Sequence, residues 1–297
     1  MWQPEPAWER LPGGPGSSGG IWRTGDGRVV KRLLAPGPGD PDALTDPTSP
    51  VFWRREAEAA TSGLLQHTPG LRAPTLLDIE EDSEGVTLTH AEVADDRPNG
   101  LFGARALGLF AGAAVRAPWL ASRQLRFRLE RTAARGGWSL LARTPLSDLA
   151  AHVWERRHEH LAALHRVPLV LQHGDPVPAN LRGVDGESIV AVDWSTVGLG
   201  PVGGDLGYWS LSAREGFEHL LTAYLGGLPA DTATRDEVLL GARVTAAFTV
   251  LGRADWALSR VADGEGPLGG RLRHPSVAPY LRSLQRAFDR IEPLLSA

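Results

Sequence analysis

The chain has 297 residues, 42% of them hydrophobic, enough to bury a core as one large domain or two lobes. A net charge of −4 argues against nucleic-acid binding, which calls for a basic face or stripe. The absence of cysteine excludes disulfides and thiolate metal sites, and a reducing cytoplasm is the expected home.

The first residues, MWQPEPAWERLPGG, are polar and proline-rich, unlike a secretory leader. No apolar run reaches the roughly 20 residues that a membrane helix needs, so no membrane partner is expected. One oddity stands out. Of 31 basic residues only Lys31 is a lysine. Lysine is a compact point charge, whereas arginine is a broad planar fork, so a lone lysine can mark a place where arginine does not serve. Taken alone, chance retention explains it better, and its surroundings have to decide.

In chain order, Ile21–Thr24 reads as a short strand after a glycine-rich loop. Gly25-Asp26-Gly27 is a hairpin turn signal, and β-branched Val29 and Val30 lead into Lys31. The Pro/Gly/Asp-rich residues 35–50 read as a loop. A helix is expected next, capped by Ser49 with Pro50 in its first turn and carrying Glu56 and Glu58. Residues 73–93 read as two strands around an acidic turn.

Beyond ADDRPNG the texture becomes helical, over residues 101–137 and 145–167. Two short apolar strands follow, each running into a polar loop. The first loop carries His173, Gly174, Asp175 and Asn180, and the second carries Asp193 and Asp205. From Leu211 onward the chain is mostly helical. The expected class is α+β: a small β-rich lobe with one helix, residues 1–93, and a larger, mainly helical lobe, residues 94–297.

Strand ends that open into loops are rigid supports for chemistry. Phosphoryl transfer needs a lysine on phosphate, an acid to position it, oxygen ligands for Mg²⁺ and a carboxylate for the attacking hydroxyl. Lys31, Glu56, Asp175, Asn180 and Asp193 supply those groups in that chain order. HGDPVPAN and VDWSTVGLGPVGGDL together resemble the motifs of the aminoglycoside phosphotransferase and choline kinase-like family, small-molecule kinases with a protein-kinase-like fold.

The resemblance covers nearly the whole chain and implies a bilobal fold. It implies Asp175 as catalytic base, Asn180 and Asp193 as Mg²⁺ ligands, and Lys31 on the nucleotide phosphates with Glu56 as its partner. Glu58 is the less favoured alternative. His173 and Asp205 would be structural in the catalytic loop. Gly14, Ser17 and Ser18 of the glycine loop would cover the phosphates. The segment Thr89–Val93, with His90, Glu92 and Val93, would receive the adenine edge. ATP or GTP, Mg²⁺ and a small-molecule hydroxyl acceptor follow, in a monomer or homodimer. Two departures from protein kinases stand out: Gly174 replaces the arginine before the base, and DW replaces D-F-G. The rival class is a non-catalytic nucleotide-binding pseudokinase. A metal hydrolase lacks a second well-placed histidine.

Other conspicuous residues have plainer readings. His158 and His160 point about 200° apart on a helix, so HEHLAALH reads as a surface helix and not a metal site. The arginine-rich residues 123–135 read as a solvated helix face. Trp194 reads as a wall beside the metal site. Trp209, Arg214, Glu215, Asp255 and Trp256 read as core or surface before substrate pocket.

Overall fold

The computed structural model describes residues 2–12, 18–135, 147–261 and 267–294. Gly14 and Ser17 lie outside these residues. The smaller lobe is a five-stranded antiparallel sheet in the order β1-β2-β3-β6-β5. Its strands are β1 (Glu9–Arg10), β2 (Ser18–Arg23), β3 (Arg28–Leu34), β5 (Leu76–Asp82) and β6 (Gly85–Ala91). β4 (Leu71–Arg72) belongs to a second sheet. The β2–β3 turn follows the sequence signal: Thr24 N–H donates to Arg28 O at 3.0 Å, and Gly27 takes φ 78°.

Period-2 alternation sends neighbours in β3 to opposite faces. Leu33 packs with Ala57, Val86 and Leu88 under α1 (Arg55–Ser62). Arg32 lies on the other face, buried, with its guanidinium on Thr87 at 3.0 Å and on Asp82 at 2.5 Å. Trp2 covers that face, 5.1 Å from the Trp22 ring.

Helix α1 starts later than its cap signal predicts. Residues 49–54 form turns and bends ahead of it, and Arg55 takes the Ser49 carbonyl at their start. Its fully buried guanidinium donates to Pro47 O at 2.9 Å and to Ser49 O, and beyond these to Trp119 O at 2.7 Å and Ser195 O at 3.0 Å. Gly63 ends the helix at φ 65°.

The larger lobe holds α2 (Gly100–Ala111), α3 (Gln124–Arg135), α4 (Ser147–Glu155), α5 (Arg157–Ala163), α6 (Gly204–Trp209), α7 (Phe217–Gly227) and α8 (Arg235–Ser259). Helices α9 (Leu268–Arg273), α10 (Ala278–Arg286) and α11 (Phe288–Ile291) complete it. The helical reading of residues 101–137 is broken between α2 and α3, where Pro118 stands and Ala121 bridges Gly198. Helix α8 runs through the core and starts with a capping box of Thr234 and Glu237.

The strands of this lobe do not form one pair. β7 (Leu169–Gln172) pairs with β10 (Gly198–Pro201). β8 (Leu181–Asp185) and β9 (Ser188–Ala191) form a hairpin that β4 joins in parallel. This crossing of strands brings the loops after β7 and β9 side by side. Among the described residues no helix is long and apolar enough to cross a membrane.

Two sequence readings change here. His160 is buried 5.9 Å from the Phe248 ring, while His158 stays exposed. It shares a face with Val153 and Leu164, at spacings of seven and four, and that face turns to the core. The arginines of α3 are not all solvated either: Arg128 and Arg135 reach inward.

Candidate active site

The β7 loop is built around buried Asp205 at the start of α6. Its carboxylate accepts the N–H of His173 at 2.7 Å and of Gly174 at 3.1 Å. Burial pushes this carboxyl up to about 7, against the pull of the two N–H donors. His173 is fully buried, 4.8 Å from the Trp194 ring. Its Nε2 meets Val192 O at 3.1 Å; a carbonyl can only accept, so that nitrogen carries the proton. Nδ1 then accepts Asp175 N–H at 3.4 Å. Burial holds His173 below the usual histidine range, hence neutral.

Gly174 takes φ 84°, and a Cβ there would stand 2.5 Å from Thr196 O. A side chain has neither room nor a relaxed backbone, which accounts for glycine where protein kinases carry arginine. An arginine arrives from elsewhere instead, as Arg128 of α3 donates to Gly174 O at 2.5 Å.

Asp175 is half-buried and held at both oxygens. Asn180 Nδ2 donates to its carbonyl at 2.9 Å and to Oδ2 at 3.2 Å. The Tyr208 hydroxyl donates to Oδ1. Sequence reasoning missed Tyr208, although it lies three residues after Asp205 on α6 and so on the same helical face. Val192 N–H donates to Asn180 O at 2.8 Å and joins this loop to the next.

Asp193 takes the left-handed conformation, φ 63°, at the end of that strand run. Its Oδ1 accepts from Lys31 Nζ at 2.9 Å and from Ser195 Oγ at 3.0 Å. Lys31 also bonds the Glu56 carboxylate. Glu58 turns away to Arg54, at 2.9 Å. Burial draws the Lys31 ammonium down, but Glu56 and Asp193 outweigh it and hold it above its ordinary value. Burial likewise opposes ionisation of Asp193, and Lys31 overcomes it, leaving the carboxyl below its ordinary value.

Lys31, Glu56, Asn180 and Asp193 line one cleft of about 480 Å³, shared with His90, Glu92 and Val93. Glu92 N–H donates to Gly27 O at 3.1 Å, and Ala91 N–H to Thr75 O at 3.0 Å, so neither is open to a ligand. The Glu92 side chain pairs with Arg23 at 2.7 Å. His90 Nδ1 is buried without a hydrogen-bond partner among the described residues. Ser18 lies in β2, paired with Leu33.

Several residues weighed for a pocket have structural roles. Trp209 donates to Gly100 O at 2.9 Å, and Glu215 accepts Gly100 N–H at 2.8 Å; together they grip the start of α2. Asp255 is fully buried and paired with Arg135 at 2.9 Å. Trp194 is buried against His173 and Phe110 and also lines the cleft.

A small antiparallel sheet over a helical lobe, with a lysine–glutamate pair bonded to the loop carboxylate of Asp193 in one cleft, defines a bilobal kinase-like phosphotransferase fold. Residues 84–238, just over half of the chain, match the model of the phosphotransferase enzyme family. The chain belongs to that family of phosphotransferases.

Solved structures share its fold. A choline/ethanolamine kinase family protein from Mesorhizobium loti is 18% identical with TM-score 0.55, over 94% of this chain and 92% of that one. The choline kinase LicA from Streptococcus pneumoniae is 15% identical with TM-score 0.59, over 96% and 93%. The aminoglycoside phosphotransferase APH(3'')-Id from Streptomyces rimosus, in complex with ADP and streptomycin, is 18% identical with TM-score 0.52, over 81% and 92%. A comparison with curated protein sequences finds no match.

Proposed function

We propose that this protein transfers the γ-phosphoryl group of ATP, with Mg²⁺, to a hydroxyl of a small molecule in the cytoplasm. The observation that carries the reading is the bridge from Lys31 to both Glu56 and Asp193, in one cleft with Asn180 and next to Asp175. Residues 1–93 supply the groups for the nucleotide phosphates, and residues 94–297 supply the base, the metal ligands and the acceptor wall. The ADP in the Streptomyces rimosus enzyme supports a nucleotide in the corresponding cleft.

Lys31 meets the phosphates as a point charge, and Glu56 keeps it extended. Asn180 and Asp193 fit Mg²⁺. The Asn180 amide nitrogen is engaged by Asp175, which leaves its oxygen for a cation, and Asp193 adds a charged oxygen. Both are hard donors of the kind this ion takes. The ion, when bound, neutralises phosphate charge. Asp175 orients the acceptor hydroxyl and takes its proton. Tyr208 and Asn180 fix the plane of that carboxylate, so the base is positioned before the acceptor arrives.

The test is thermal unfolding of the purified protein with and without ATP and Mg²⁺. A ligand that binds only the native state raises the midpoint. Neither ATP nor GTP raising it, with Mg²⁺ present, would overturn the proposal.

A further inference from the structure

The side of Asp175 that faces away from Asn180 carries an unusual group. Tyr208, whose hydroxyl bonds Asp175, has two guanidinium carbons over its ring, Arg253 at 4.5 Å and Arg128 at 5.1 Å. The two come from different helices, α8 and α3. Arg128 is tied down by Gly174 O. Arg253 makes no hydrogen bond or ion pair among the described residues and is half-buried.

The carboxylates around this group are engaged. Asp175 bonds Tyr208 and Asn180, Asp205 holds the loop N–H groups, and Asp255 on α8 pairs with Arg135. A cavity of about 410 Å³ adjoins Arg128 and Tyr208 and is also lined by Arg123 and Arg126. Its one lining carboxylate is Asp205. Among the described residues Arg253, over the ring whose hydroxyl bonds Asp175, is therefore without a carboxylate partner.

An aromatic face next to the base is the feature that would hold a cationic acceptor. Here the chain's own arginines stand over that face. A quaternary ammonium or an amino sugar brought to Asp175 would meet Arg253 as a like charge that no carboxylate of the described residues pairs with. An anionic group would gain a charge-assisted hydrogen bond from a planar fork.

We infer that the acceptor is a hydroxylated small molecule bearing a carboxylate or phosphate, bound with its anionic group on Arg253 and its hydroxyl at Asp175. The inference rests on the proposed phosphotransfer and names its substrate class. The hydroxyl oxygen forms a bond to the γ-phosphorus as the β,γ-bridging oxygen–phosphorus bond breaks. ADP leaves with that electron pair, and the hydroxyl proton passes to Asp175 and then to solvent.

The test is ADP release by the full chain with ATP and Mg²⁺, using glycerate, glycerol 3-phosphate, glycerol, choline and streptomycin as acceptors. Turnover is expected with an anionic member, and glycerate against glycerol 3-phosphate tells a carboxylate from a phosphate. Arg253→Gln should raise KM for that acceptor about tenfold or more, with KM for ATP unchanged. Arg253→Lys should recover part of the loss. Preferential turnover of choline or streptomycin overturns the inference, as does the absence of turnover with both anions. A loss confined to kcat in Arg253→Gln overturns it too, since the arginine would then serve only the base. Thermal stabilisation of each protein by ATP and Mg²⁺ separates the two failures. If it is present, only the acceptor class falls. If it is absent from the wild type, the phosphotransfer reading falls with it.

Discussion

Lys31 bonds Asp193 and Arg253 lies over the ring that bonds Asp175, and the two cations are held in opposite ways. Lys31 is clamped between the carboxylates of Glu56 and Asp193, so its charge is balanced inside the protein. Arg253 rests on the Tyr208 ring without a carboxylate among the described residues. The nucleotide wall is complete before any ligand arrives. On the proposed acceptor wall, Arg253 is left for a ligand to balance. A buried balanced ion is a positioning device, whereas an unbalanced one selects by charge.

The sharpest way to break this comparison is at the base between the walls. Asp175→Ala should lower kcat about 10³-fold while keeping stabilisation by ATP and Mg²⁺. Steady-state kinetics and thermal unfolding check both halves, and undiminished turnover would remove Asp175 as base. On the nucleotide wall, Lys31→Arg should cost about 10²-fold in kcat/KM for ATP. A fork does not fit between two carboxylates placed for one ammonium nitrogen. Full activity would make the lone lysine a compositional accident.

On the acceptor wall, Tyr208→Phe keeps the ring under both arginines and removes only the hydroxyl. It should lower kcat about tenfold and leave KM for ATP unchanged. A rise in KM for ATP instead would mean that the two walls are not separate.

The smallest effect is on stability. Burial holds His173, His90 and His160 below the usual histidine value. Each is neutral when folded and takes a proton first when unfolded. Stability is therefore lost as pH falls through about 6.5 toward each folded value, by up to about 1.4 kcal/mol per pH unit per histidine. Urea unfolding between pH 7.5 and 5.0 reads this slope. The Asp205 carboxyl, pushed up to about 7 when folded, takes its proton first in the folded state and offsets one such slope, so a net loss from the three histidines is still expected; a gain in stability toward pH 5.0 would contradict neutral buried histidines.

The bilobal architecture was legible from texture alone, because β-branched alternation gives way to helical spacing after residue 93. Lys31, Glu56, Asn180 and Asp193, which share the cleft, were legible from chain order and the motif HGDPVPAN. The acceptor wall was not. Arg128 and Arg253 are inward arginines in a chain whose basic residues are nearly all arginine, so nothing marks them. Tyr208 had a faint signal in its three-residue spacing from Asp205. The start of α1 was misread because Ser49 and Pro50 are locally good helix starters. What overrides them is a contact with Trp119 and Ser195, far along the chain.

That contact has a mechanical consequence. Arg55 pins α1 to Ser195, two residues beyond Asp193, and to the segment before α3 through Trp119. Swinging α1 away would strand a desolvated guanidinium together with the carbonyls it serves, each a costly loss. The helix that carries Glu56 therefore travels with the loop that carries Asp193 as one piece. Lys31, bonded to both Glu56 and Asp193, ties strand β3 to that same piece.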